Sequence, residues 1–170
     1  MNLAGTTKEY DRSAALAYAR RWALSRNPAF FDYSEIGGDC TNFASQVLYA
    51  GCGVMNFTQT YGWYYLNPNQ KSPSWTGVPF LYQFLTENRE KGPFGEQREL
   101  KDLEVGDLIQ LGFRKQGQFE HSLIITKFGT PPIRPEKVYF AAHTQDLLDQ
   151  KLTYYNFVDV RFIHILGYRI

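Results

Sequence analysis

Cysteine is scarce in this chain: two residues of 170, Cys40 and Cys52. Two thiols do not make the disulfide framework of a small stapled domain, and no Cys-x-x-Cys pair is present to hold a metal. If the chain from Cys40 onward is helical, the two cysteines stand roughly 18 Å apart at about 1.5 Å per residue. A disulfide needs Cα atoms within about 7 Å, so the two thiols are expected to be free of each other. An excess of one charge is missing too. Eighteen basic residues face 17 acidic ones, for a formal net charge of +1, which gives no electrostatic reason to expect nucleic acid or an anionic membrane as partner. No apolar run approaches the ~18 residues of a membrane span. The amino end, MNLAGTTKEYDRSAALAYARRW, has no apolar core behind a basic start, so no secretory signal is read there. Repeats, low-complexity tracts and linkers are lacking as well. Residues 1–170 are therefore expected to form one domain.

What the chain does have is apolar and aromatic bulk. It is 44% hydrophobic, with 13 Phe, 12 Tyr and 3 Trp, enough to bury a real core. In YDRSAALAYARRWALSRN (10–27), Ala15, Tyr18, Ala19, Trp22 and Ala23 recur at helical spacing before the Asn27-Pro28 stop. A loop, PAFFDYSEIGG, leads to a second helix beginning at Asp39 and Cys40. Phe43, Ala44, Val47 and Leu48 give it an apolar face, and Gly51 is expected to end it. From Met55 to Pro79 no period holds and Asn, Pro, Gly and Ser interrupt many aromatics, so a long structured loop is expected. Val78 to Glu90 returns to helical spacing. Then the pattern changes to strands at 106–113, 121–128, 137–144 and 157–170. Helices first and strands afterwards predict an α+β fold, with an antiparallel sheet packed on helices of the amino half.

The chemistry centres on Cys40. A thiol attacks as thiolate, and a free cysteine is only a few per cent ionised at neutral pH. A helix amino terminus and a neighbouring imidazolium both favour the anion. Asp39 as N-cap places Cys40 at the first helical position. The chain has three histidines, His121, His143 and His164. His121 opens a strand and His143 nears the end of the next. If those strands pair antiparallel, the two lie side by side, with Cys40 as nucleophile, His121 as base and His143 orienting His121. His164, between Ile163 and Ile165, reads as structural, and Cys52 as packing. Trp63, Tyr64, Tyr65 and Trp75 divide between core packing and a platform for peptide or sugar. A zinc site built from Cys40, His121 and His143 is a further reading of the same residues.

The segments Gly-Asp-Cys-Thr-Asn-Phe-Ala-Ser-Gln, Trp63-Tyr64-Tyr65, Ser74-Trp75-Thr76, Val-Gly-Asp-Leu-Ile, Glu-His-Ser-Leu-Ile-Ile-Thr and Ala-Ala-His-Thr together resemble the putative amidase domain family. That family is one of the papain-like cysteine hydrolases, alongside NlpC-type peptidases and the CHAP amidases of bacterial cell walls. The resemblance runs from about Tyr10 to the final strand. It implies a papain-like fold with the nucleophile on a helix, a histidine on a strand and a polar residue on the next strand. Cys40, His121 and His143 fall in that order, with Gln145 and Asp146 close to the third position. It also implies two oxyanion donors, the Cys40 amide and a Tyr or Gln side chain upstream, for which Tyr33 is best placed. The implied activity is hydrolysis of an amide bond through a thioester, without a cofactor. The implied substrates are peptidoglycan stem peptides or the glycan–peptide amide, in the cell envelope or outside the cell. A peptide- or glycan-binding module without chemistry, and an acyltransferase, stay open beside it.

Overall fold

The computed structural model describes residues 5–170. The reading of the amino end takes in residues 1–4, which lie outside the described residues. A short strand, β1 (Thr7–Lys8), precedes helix α1 (Arg12–Trp22). Asp11 starts α1 by accepting the Ala14 amide at 2.9 Å, and Arg20 and Arg21 occupy the last turn, where the helix dipole favours cations. Helix α2 (Cys40–Cys52) is buried along most of its length. It does not stop at Gly51. A Cβ there would lie 2.1 Å from the Tyr10 ring, so this glycine serves close packing against α1's leading segment. The terminator is Gly53, left-handed at φ 67°.

The aromatic stretch after α2 is more ordered than its composition predicts. It holds the hairpin β2 (Tyr65–Asn67) and β3 (Gln70–Lys71), then a single turn α3 (Pro73–Thr76), and leads into α4 (Val78–Glu87). Trp63 and Trp75 are both 0% exposed. Their indole N–H groups donate to Ser45 Oγ and Asn42 Oδ1, each at 3.0 Å, and the rings lie 4.8 Å apart. Of the two readings, core packing holds and the platform for peptide or sugar is corrected: the rings pack on each other and on Phe30, Tyr65 and Phe84, while their N–H groups fasten the segment to α2. Tyr64 is half-buried beside the exposed Phe57.

The carboxy half supplies β4 (Gly92–Arg98), β5 (Leu108–Gly112), β6 (His121–Phe128), β7 (Val138–Ala142), β8 (Leu147–Lys151) and β9 (Asp159–Arg169). With β1 they form a seven-stranded antiparallel sheet. β9 is its hub, pairing with β1, β4 and β5; β6, β7 and β8 continue beyond β5. One sheet face (Leu108, Ile124, Ala141, Ile163) packs on the helices through Phe43, Ala44, Val47 and Leu48. The other (Ile109, Leu111, Leu123, Ile125, Phe140) packs against Leu100, Leu103, Ile133, Leu152, Tyr155 and Phe157 of the connecting segments. Because both faces are buried, β5 and β6 read as nearly continuous apolar runs. Helices followed by antiparallel strands make this an α+β architecture. Among the described residues, no helix is long and apolar enough to cross a membrane.

Candidate active site

The segment before the nucleophile candidate is a closed loop. The Gly38 and Ile36 amides both donate to the Tyr33 carbonyl, and Gly37 and Gly38 take φ of 102° and 101°. Only glycine adopts such angles without strain. The loop delivers Asp39 to the start of α2, yet the Asp39 side chain does not cap that helix. Its Oδ1 accepts from the Tyr33 amide at 2.9 Å and from Asn42 Nδ2 at 2.8 Å, and its Oδ2 meets His143 Nδ1 at 2.6 Å. The expected cap is instead a buried hub that ties the loop, the helix and the sheet together.

Cys40 follows, 8% exposed, with a free thiol; Cys52 is free as well. Burial pushes the Cys40 thiol up from its ordinary value, and the Asp39 charge adds to that. The Ser122 amide and the hydroxyl and amide of Thr41 favour the anion and work in the opposite direction. The sequence leads one to expect a depressed thiol; desolvation wins because the sulfur lies in a nearly closed site. Around it runs a polar chain. Thr41 Oγ1 and Ser122 Oγ are 3.0 Å apart, and Gln110 Nε2 donates to Ser122 Oγ at 3.2 Å. Arg161 in turn holds Gln110 Oε1 at 2.6 and 2.8 Å, its guanidinium lying between the Tyr82 and Phe119 rings.

His121 begins β6. The Thr41–Ser122 hydroxyl pair therefore brings the head of α2 against the start of β6, beside His121. The imidazole Nε2 is 3.1 Å from the Tyr155 hydroxyl, and the ring meets Tyr155 edge-on at 5.2 Å. Burial alone pushes His121 down to about 4. No hydrogen bond joins Cys40 to His121 among the described residues.

His143 goes elsewhere. Its Nδ1–H donates to Asp39 Oδ2 at 2.6 Å, and its Nε2 is 2.7 Å from the Trp22 carbonyl oxygen and 3.3 Å from Arg26 Nη1. The ring stacks on Phe43 at 4.0 Å. The reason His121 and His143 do not meet is strand parity. Side chains alternate between sheet faces; His121 shares a face with Leu123 and Ile125, whereas His143 follows Ala141 to the helix side. Antiparallel pairing brings the two backbones together and sends the rings apart. With both ring nitrogens of His143 taken by Asp39 and the Trp22 carbonyl, neither is left for a metal, which removes the zinc reading of Cys40, His121 and His143. His164 is structural, held by Asp107 at 2.7 Å, and Asp107 also accepts from Arg12 at 2.8 Å.

Tyr33 is 9% exposed, and its hydroxyl is buried with no partner among the described residues. Burial pushes that hydroxyl up to about 12, with the Tyr65 and Asp39 charges adding to it, so it stays a donor. Tyr155 is the site residue that sequence reasoning missed. It stands outside every strand, after a single turn at Leu152–Tyr154, and no motif marks it. A cavity of about 710 Å³ lies over α4, lined by Asn56, Tyr61, Phe80, Phe84 and Glu87 among others; neither Cys40 nor His121 reaches it. Chemistry rather than volume therefore selects the site around the thiol.

Comparisons with known proteins also point to amide chemistry. The chain is similar to the uncharacterized protein YhbB of Bacillus subtilis (strain 168), 28% identical over 159 residues. That stretch is 91% of this chain and 47% of YhbB, so the chain spans about half the length of the relative it matches. No solved structure matches. Residues 9–166 match the family described as "Putative amidase domain", and the chain belongs to that family.

Proposed function

We propose that the chain is a cysteine-dependent amide hydrolase that works through an acyl-enzyme thioester on one papain-like domain. The observation that carries this reading is the free, nearly buried Cys40 thiol at the head of α2, a turn that Thr41 Oγ1 holds 3.0 Å from Ser122 Oγ, the neighbour of His121 on β6. Burial raises the thiol and lowers the imidazole, so the resting pair is a thiol and a neutral base. His121 takes the proton as the bond forms, which is general-base assistance to an unionised nucleophile.

Cys40 Sγ attacks the carbonyl carbon, and its proton passes to His121 Nδ1, the ring nitrogen that Tyr155 leaves open. The Cys40 amide and the Tyr33 hydroxyl donate to the tetrahedral oxyanion. A buried hydroxyl without a partner is costly in a folded protein, and a substrate oxygen would satisfy it. His121 then gives its proton to the departing amine. Water, deprotonated by His121, attacks the thioester and releases the carboxylic acid and the thiol. An amine in place of that water would make the same intermediate an acyltransferase.

The family supports amide bonds as the target; the likeness to NlpC-type and CHAP enzymes supports cell-wall peptides or the glycan–peptide amide, and hence the cell envelope or the exterior. Incubation with purified cell-wall fragments, followed by mass spectrometry of new termini, tests this. Wild type should release matched amino and carboxyl ends, and Cys40→Ala should release none. Equal release by both proteins overturns the mechanism.

The cavity over α4 favours a second reading, a peptide- or glycan-binding module without chemistry. Binding of the same fragments without new termini, undiminished in Cys40→Ala and lost in Phe80→Ala, would establish it in place of the first.

A further inference from the structure

We propose that Tyr155, rather than His143, is the positioning residue for His121: the imidazole Nε2–H donates to the Tyr155 hydroxyl oxygen and leaves the Nδ1 lone pair for the proton of Cys40. This rests on the reading of His121 as the base. A base imidazole needs one nitrogen bare and the other protonated, and the partner of the second decides which is which. His121 Nε2 is 3.1 Å from Tyr155 Oη and has no other hydrogen-bond partner among the described residues. His143, the expected orienter, is fully committed to Asp39 and to the Trp22 carbonyl on the other face of the sheet.

Tyr155 is itself well held. Its ring stacks on Phe140 at 5.6 Å and meets Phe113 at 5.6 Å and Tyr154 at 5.1 Å, while its amide donates to the Leu152 carbonyl at 3.3 Å. Leu152 is fully buried and anchors the turn. The hydroxyl therefore reaches His121 from a fixed platform. It is a neutral acceptor: burial, with the Tyr154 and Cys40 charges adding to it, pushes the phenol up to about 12, so no phenolate forms at neutral pH. A neutral partner sets the tautomer without the strong pull of a carboxylate, which would raise the imidazole. That agrees with a base which stays uncharged until the thiol gives up its proton.

Tyr155→Phe tests the proposal, since it keeps the ring contacts and removes the hydroxyl alone. Nitrogen-15 correlation spectra of the full chain at pH 7 read the His121 tautomer directly and need no substrate. Wild type should show the Nε2–H form predominating, and Tyr155→Phe a mixture. On cell-wall fragments the variant should lose about tenfold or more in kcat with KM within roughly twofold, as for a group that acts through the base. A wild-type Nδ1–H tautomer overturns the proposal, and so does a variant with unchanged tautomer, whatever its melting temperature. Turnover by Cys40→Ala would instead overturn the thiol mechanism, and the tautomer spectra would still decide the Tyr155–His121 bond independently.

Discussion

Asp39 and His143 meet at 2.6 Å, both fully buried, one residue away from the nucleophile candidate. The histidine that sequence spacing places beside the base instead clamps the loop that delivers Cys40. With Arg26 Nε 3.6 Å from the same carboxylate, three elements converge on Asp39. Removing one partner leaves a buried carboxylate short of a donor, which typically costs about 3 kcal/mol or more. His143→Ala should lower the stability to urea by that amount. A change below about 0.5 kcal/mol, the scale of an ordinary surface substitution, would show that the clamp carries no weight.

The thiol itself should be slow at neutral pH. Burial pushes Cys40 above its ordinary value, and Cys52 to about 12. Alkylation of Cys40 by iodoacetamide should rise steadily as pH passes 8 and 9, with Cys52 slower throughout, when followed by peptide mass. A rate already at its plateau by pH 7 would mean a thiolate–imidazolium pair and contradict the neutral resting state.

His121 gives a signed pH dependence. Its folded value, about 4, lies below the ordinary 6.5, so the unfolded chain binds its proton first. Its contribution to stability is complete above pH 6.5 and is lost as pH falls through about 4, a loss on the order of 3 kcal/mol. His121→Gln should flatten the urea stability profile in that window. The acid limb of kcat/KM should likewise fall near pH 4, and a limb near 6.5 would contradict the buried neutral base.

Trp63 and Trp75 act through the core. Trp75→Ala should destabilise by about 3–5 kcal/mol, as for other large-to-small changes in a packed interior. Thermal or urea unfolding measures it. A stable Trp75→Ala protein that had lost only ligand affinity would restore these rings as a binding platform.

Much of this architecture is legible in the chain because periodicity reports burial directly. β6 runs from His121 to Phe128 as its β-branched run predicts, and the first two helices and α4 lie where their apolar spacing puts them. β4 and β8 escape notice for a physical reason: GPFGEQR and LLDQK are polar or glycine-bearing, with little apolar alternation to betray them. The site divides in the same way. Cys40 and His121 sit on regular elements, so spacing finds them. The partner of His121 depends on side-chain parity and on Tyr155, brought in by a turn 34 residues away, which local pattern does not encode.

The nucleophile is tested most directly by trapping. Wild-type protein mixed with cell-wall peptide fragments and quenched in acid should carry an acyl mass on the peptide containing Cys40. The adduct should disappear with hydroxylamine and be absent from Cys40→Ala. New termini accumulating in Cys40→Ala at the wild-type rate, with no acyl mass on Cys40 in wild type, would contradict it.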